Sequence, residues 1–313
     1  TLTGIANGSE TLTVTPVANS IYDANGNAAS TTQSNNTATL LDGRIAIITS
    51  HNHNASYGQE NSIIRIDSDT YLLAYKGYGG HLKTFTLSAD GSLTYITGTP
   101  FTNNNSSYTY QNDLLQIDAD TYILAHSGYD VTTGYGQHIK TFKVKPDGSS
   151  IVQIGELMHD SNYGSNDYSD LVRVDHDTYA LAYYGYNQPN SNQWGGWIKT
   201  FTVNGGTITE VVALKHVSST TYHHSFIKVD ADTYALAFAD NASDGHIRTF
   251  TIPADGSSIT QAGTLEHDTD HGRHNSLVQV DDDTYALSYQ GTGSDGFIKT
   301  FTIAADGATI TQV

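Results

Sequence analysis

The pentad Asp-x-Asp-Thr-Tyr occurs five times in this chain, ending at Tyr71, Tyr122, Tyr179, Tyr234 and Tyr285, at intervals of 51, 57, 55 and 51 residues. A second marker follows each copy in order: Leu82-Lys83-Thr84-Phe85, Ile139-Lys140-Thr141-Phe142, Ile198-Lys199-Thr200-Phe201, Ile247-Arg248-Thr249-Phe250 and Ile298-Lys299-Thr300-Phe301. A unit of this size cannot bury its own apolar face, so successive units must stack on one another.

Within a unit the side chains alternate with a period of two, as in Tyr179, Leu181 and Tyr183 against Ala180 and Ala182. That is the pattern of a strand, and no helical period competes with it. Turn chemistry divides each unit into four strands: an Asp-rich turn before the pentad's Thr, a Gly-rich loop, and an Asp-Gly turn such as Ala305-Asp306-Gly307. Four short antiparallel strands per unit predict an all-β fold, a five-bladed β-propeller of four-stranded antiparallel blades over residues 43–313. A closed ring avoids long exposed edges.

Two segments compete for the outer strand of the fifth blade. Aligning His51 with His267 makes Arg44 to Ser50 the counterpart of Thr260 to Glu266, yet Thr309 to Val313 begins the same strand. Closure by the N-terminal segment is the expectation. Residues 1–42 stand outside the repeat as an extended segment, with an alternating strand at Thr11 to Val17 and a turn-rich loop at Asp23 to Ala29.

The acids outnumber the bases 32 to 14, and only five of them are Glu. Clustered cations for phosphate contacts are missing, which argues against nucleic acid. No apolar run is long enough to span a membrane, and Thr1 follows the pattern of a mature or excised piece. With no Cys, disulfide chemistry is silent on the compartment.

The Asp23 to Ala29 loop, with its Asp-x-x-Gly-Asn spacing, resembles the end of the immunoglobulin-like modules of large bacterial and archaeal surface proteins. The repeats over 43–313 resemble uncharacterised extracellular propeller proteins of marine microbes. These resemblances imply a location outside the cell or on its surface, and a neighbouring module or pairing arm at residues 1–42. They imply no activity.

In an up-and-down blade the loops after the second and fourth strands share one end of the propeller. That end carries the variable segments, rich in His, Tyr, Asn and Trp, and loops on a rigid scaffold are where binding residues are placed. The candidate ligand-binding residues are Tyr78, Tyr129, Tyr186, Trp194 and Trp197 from the loops after second strands, with His51, His159, His216, His267 and Asn275 from the segments after fourth strands. Aromatic platforms flanked by hydrogen-bonding groups suit sugars. For the four His residues, packing between blades is the competing reading.

No cofactor is implied, with calcium the one ion to weigh. Asp23, Asn25 and Asn27 space oxygen ligands as the start of a calcium loop does, without the later bidentate Glu. The Asp-x-Asp pairs read more simply as Asp side chains bonding their own turns. His223, His224, His271 and His274 with Asp268 or Asp270 make a weak transition-metal pattern. Glu60, Asp113 and Asp170 are the carboxylates best placed for glycosidase-like chemistry. The regularity of the units and the absence of a nucleophile or cofactor motif favour a chain that is not an enzyme.

Two functional readings remain. One is an extracellular binding or adhesion propeller that recognises glycans. The other is a structural subunit of a surface layer, sheath or filament, a homopolymer with neighbouring subunits joined by strand exchange through the termini.

Overall fold

A computed structural model describes residues 11–13, 37–39, 50–55, 57–102, 109–130, 134–161, 169–187 and 193–313. The chain divides into two units, Thr1–Ser50 and His51–Val313. In the first, β1 (Thr11–Thr13) pairs antiparallel with β2 (Thr37–Thr39). The second holds five four-stranded antiparallel sheets, the five-bladed β-propeller that the repeat predicts.

Blade one is β3 (Gln59–Arg65), β4 (Thr70–Gly77), β5 (Gly79–Leu87) and β6 (Leu93–Pro100). Blade two is β7 (Thr109–Gln116), β8 (Thr121–Asp130), β9 (Gly134–Val144) and β10 (Ile151–Asp160), and blade three is β11 (Ser169–Arg173), β12 (Thr178–Gly185), β13 (Gly195–Asn204) and β14 (Thr207–Val217). Blade four is β15 (Tyr222–Lys228), β16 (Thr233–Ala239), β17 (Gly245–Thr251) and β18 (Thr260–Asp268), and blade five is β19 (Arg273–Gln279), β20 (Thr284–Gln290), β21 (Gly296–Ile303) and β22 (Ile310–Gln312). Strand order follows the chain in every blade. The first strands stand side by side along the row, β3 on β7, β7 on β11, β11 on β15 and β15 on β19.

Alternation in the second strand gives each blade two unlike faces. The face toward the preceding blade carries Tyr, Leu and an aromatic ring; the face toward the next carries two Ala in blades three and four, and Leu72 with Ala74 or Ile123 with Ala125 in blades one and two. Thus Ala180, Ala182 and Ile198 of blade three pack against Tyr234, Leu236, Phe238 and Phe250 of blade four. Ala235, Ala237 and Ile247 of blade four meet Tyr285, Leu287, Tyr289 and Phe301 of blade five in the same way. Small on large lets the sheets approach closely, and each fully buried large side chain contributes about 1.5–3 kcal/mol.

The second marker is the lock of each seam, and its four residues divide the work by alternation. Ile points forward into the next blade and Phe backward into the preceding one. The basic residue also reaches backward, to a carbonyl at the end of the preceding outer strand: Lys140 to Phe101 O at 2.6 Å, Lys199 to His159 O at 2.7 Å, Arg248 to His216 O and Lys299 to His267 O. Thr reaches forward to the glycine carbonyl of the next Asp-Gly turn: Thr84 to Gly148 O, Thr200 to Gly256 O and Thr249 to Gly307 O, at 2.7, 2.7 and 2.6 Å. Those glycines sit at φ of 69°, 65° and 70°, a left-handed region that a Cβ disfavours.

The pentad's Asp residues brace their own turns. Asp118 Oδ1 accepts the amides of Asp120 and Thr121 at 3.1 and 2.9 Å, and Asp281 Oδ1 accepts the Asp282 amide at 2.8 Å. Backbone bonds close the same turns, as in Val174 N to Thr178 O at 2.9 Å.

In blade five Ile310–Gln312 pairs with Phe301–Ile303 as an outer strand, and the expected closure by Arg44 to Ser50 falls almost wholly outside the described residues. The Ala305-Asp306-Gly307 turn delivers this strand locally, with far less chain to order than a pairing across the whole sequence; residues 44–49 lie outside the described residues. The closing seam of the expected ring is also missing among the described residues. Ile298 is 76% exposed where Leu82, Ile139, Ile198 and Ile247 are 0% exposed.

Candidate functional site

Exposed aromatic side chains recur at the connection between second and third strands, although Tyr95 on β6 is exposed as well. In blade one Tyr78 is 54% exposed and lies edge-on to Tyr57 at 4.8 Å between ring centroids. In blade two Tyr129 meets Tyr135 at 4.7 Å, with Tyr135 exposed. In blade three Trp194 is exposed, stacked on Tyr184 and tilted against Tyr186, each at 5.3 Å. Hairpins force this arrangement: residues flanking a tight connection oppose one another across the ladder, as Tyr129 and Tyr135 do.

Blades four and five have Asp240 with Asn241 and Gly291 with Thr292 at the loop positions, and in blade five the pair lies within the hairpin instead, Phe297 being exposed and stacked on Tyr289 at 5.5 Å. Tyr57, Tyr135 and Tyr184 escaped the sequence-based candidate set. Their signal was an aromatic beside glycine, in Tyr57-Gly58 and Gly134-Tyr135-Gly136.

Trp197, a sequence-based candidate, belongs instead to the core between blades two and three. It is 5% exposed and its indole Nε1 donates to Gln193 O at 3.3 Å. Alternation explains the correction, because Trp197 lies within β13 on the backward-facing side, whereas Trp194 precedes the strand.

The His candidates are seam residues. His159, His216 and His267 are buried, with rings edge-on to the next blade: His159 to Tyr183 at 4.9 Å, His216 to Phe238 at 5.1 Å and His267 to Tyr289 at 4.8 Å. Burial, and then the neighbouring Lys199, hold His159 well below the ordinary imidazole range; burial does the same for His216 and lowers His267 to about 4. His51 is exposed, and its neighbour His53 takes the seam position, edge-on to Tyr75 at 4.9 Å with its carbonyl accepting Lys83 Nζ. Phe101 fills the equivalent place before blade two, 4.9 Å from His126. Asn275 is likewise a strut: its Nδ2 donates to Gly272 O at 2.9 Å and to His223 O at 3.3 Å, while Asn112 does the same for Glu60 O at 2.8 Å.

Nearer the axis, the first strands of blades one, two, four and five open with a bulge, and the bulged residues Glu60, Gln111, His223 and His274 have φ of 51–55°. Bulges of this kind re-aim side chains. Just after them a side-chain oxygen of each blade accepts an amide of the next: Ser62 from Leu114, Asp113 from Leu171, Asp170 from Phe226 and Ser225 from Leu277, at 3.1, 2.6, 2.6 and 3.0 Å.

Asp113 and Asp170 are half-buried neighbours in this row and share a side-chain hydrogen bond. Burial raises both carboxyls, and the Asp113 charge lifts Asp170 further, which favours a proton shared between them. Because its folded-state affinity for protons exceeds the unfolded one, this pair stabilises the fold at acid pH and loses that contribution as pH rises through the raised value. Asp170→Asn retains an acceptor for the Phe226 amide, so its stability relative to wild type is expected to increase with pH; a difference that stays flat from acid to neutral pH in urea titrations would contradict the shared proton.

Glu60 lies apart from this pair on its bulge, its carbonyl engaged by Asn112. Asp23, Asn25 and Asn27 lie outside the described residues. Among the described residues no three His, Asp or Glu side chains converge as metal ligands. The His223 and His274 rings are 3.8 Å apart, but Asp268 accepts from Tyr289 Oη at 2.9 Å and Asp270 from Thr292 at 2.7 Å.

No protein-family model and no curated protein matches the sequence. Solved structures share the fold. A protein assigned as a 6-phosphogluconolactonase from Bacteroides fragilis aligns with a TM-score of 0.54 at 12% identity, over 90% of this chain and 86% of that one. A Dyadobacter fermentans protein of unknown function aligns with a TM-score of 0.52 at 13% identity, over 82% of each chain. The periplasmic gluconolactonase of Pseudomonas aeruginosa gives 0.45 at 9% identity, over 93% and 89%. The expectation of a chain without catalytic activity is corrected by this result, since a protein assigned as a lactonase shares the fold and the frame admits enzymes. At such identity the likeness establishes the propeller and nothing about the reaction.

Proposed function

We propose that this propeller recognises carbohydrate outside the cell, through the exposed aromatic groups at the loop end of blades one to three. The observation that carries the reading is the recurrence, in three consecutive blades, of an aromatic pair with at least one exposed ring beside the connection between second and third strands. Rings of this kind offer flat apolar faces to the C–H face of a sugar, and the neighbouring Asn and Asp side chains offer partners to its hydroxyls.

The chain has two Trp residues, one exposed and one buried, so intrinsic fluorescence reports on the proposed site directly. A glycan array followed by titration of the best binder is expected to shift the Trp194 emission. Trp194→Ala and Tyr78→Ala are each expected to weaken binding about tenfold, the equivalent of roughly 1.4 kcal/mol of lost stacking and burial. No binder on the array, or an affinity unchanged in the Trp194→Ala, Tyr78→Ala, Tyr135→Ala triple variant, would overturn the proposal.

A further inference from the structure

We propose that the loop end of the seam between blades four and five is a carboxylate-binding site, separate from the exposed aromatic groups of blades one to three, in which Arg273, His223 and His274 receive the anion. The backbone gives the first reason. His223 and His274 are the second residues of β15 and β19, each on a bulge, with φ of 55° and 54°. Glycine is the default at such angles, and nine glycines take positive φ elsewhere among the described residues. Two imidazoles stand there instead, their ring centroids 3.8 Å apart across the seam. Backbone strain of this kind is kept where a side chain is needed.

Charge gives the second reason. The chain carries 32 acids against 14 Lys and Arg, yet Arg273 forms no ion pair with a carboxylate among the described residues. Its guanidinium lies over the Tyr222 ring at 5.5 Å, donates from Nη2 to Ser243 Oγ at 2.8 Å, and keeps Nε buried with no hydrogen-bond partner among the described residues. Five N–H donors in a planar fork suit the two oxygens of a carboxylate.

The acids nearest in sequence are committed elsewhere. Asp268 Oδ1 accepts the amides of Asp270 and His271 at 3.1 and 2.9 Å, and its Oδ2 accepts Tyr289 Oη at 2.9 Å. Asp270 Oδ2 accepts Thr292 Oγ1 at 2.7 Å. Burial first, and then His274, Arg273, His224 and His271, lower His223 to about 3, so every neighbouring charge that acts on it is basic. An acid is what this cluster lacks. Arg273 is its one permanent cation, in a chain of net charge -18, which matches a monoanionic carboxylate better than a dianion. His274 is exposed, and Arg273 and His271 are half-buried, so a small anion reaches the guanidinium donors that Ser243 leaves open.

Histidine-ring signals in two-dimensional NMR of the full chain test this, with acetate as the probe, acetamide as its uncharged isostere and sulfate as a dianion, all at constant ionic strength in chloride. Acetate is expected to move the His223 and His274 signals together along one saturating curve, acetamide to move neither, and sulfate to bind more weakly than acetate. Arg273→Gln is expected to weaken acetate binding about tenfold. His274→Gly places at φ of 54° the residue that favours it, so acetate binding should weaken with no fall in melting temperature. That variant separates lost binding from lost folding should Arg273→Gln misfold. No saturable response to acetate, an equal response to acetamide, tighter binding of sulfate, an acetate affinity unchanged in both variants, or a lower melting temperature in His274→Gly would overturn the proposal.

Discussion

Ile198→Asp is expected to unfold the propeller, and Ile298→Asp, the same substitution at the same place in the motif, to leave a dilute monomer as stable as the wild type. Ile198 is fully buried between blades three and four, amid Ala180, Ala182, Tyr234 and Phe250. Replacing it removes about 1.5–3 kcal/mol of apolar burial and introduces a carboxylate with no cationic partner, and together these put the loss above roughly 4 kcal/mol. Ile298 is 76% exposed, so its substitution belongs with surface changes of about ±0.5 kcal/mol. Urea denaturation followed by far-ultraviolet circular dichroism reads both values. Equal losses would mean that the blade-five face is covered within the monomer, contrary to the exposure described here.

Acid is expected to weaken the fold through the seam histidines, and His267→Phe to remove a measurable share of that weakening. The ring nitrogens of His216 and His267 are buried without hydrogen-bond partners, and each ring packs edge-on against an aromatic neighbour. The seam therefore favours the neutral form, and His267 falls to about 4 by burial first and the Lys299 charge second. A lowered folded-state value means that the unfolded chain binds more protons, so stability is lost as pH falls below about 6.5, continuing down to the lowered value. For His267 that window corresponds to roughly 3 kcal/mol.

Phe already stands at the equivalent place in Phe101, so His267→Phe is expected to match the wild type at pH 8 and to exceed it increasingly as the solution is acidified toward pH 4. Asp170 acts in the opposite sense over part of this range, gaining relative stability as pH falls. Taking the difference between variant and wild type at each pH isolates each group. A His267→Phe difference that does not grow on acidification would show that the ring is solvated in the native state.

The pentad and the second marker were legible as strand-forming repeats because alternation and turn chemistry are local. Tyr179-Ala180-Leu181-Ala182 declares two faces whatever surrounds it, and Asp306-Gly307 declares a turn. Even the division of labour within Ile-Lys-Thr-Phe follows from period two, once neighbours on both sides are granted. The role of the recurring His was not legible in the same way. A His after a strand reads equally as a ligand or as a wedge, and only the Tyr or Phe of the next blade, which lies well further along the chain, makes it a wedge. Trp194 and Trp197 differ by three positions and by one boundary, the start of β13, which decides between solvent and core.

What the amino-acid order determined by itself was the unit: four strands, their faces, their turns and their fivefold succession, all consequences of short-range sterics and side-chain alternation. The tertiary structure alone decided which faces found partners. Leu82, Ile139, Ile198 and Ile247 are buried while the equivalent Ile298 is exposed, since burial depends on whether another sheet arrives within contact distance, and no local pattern encodes that arrival.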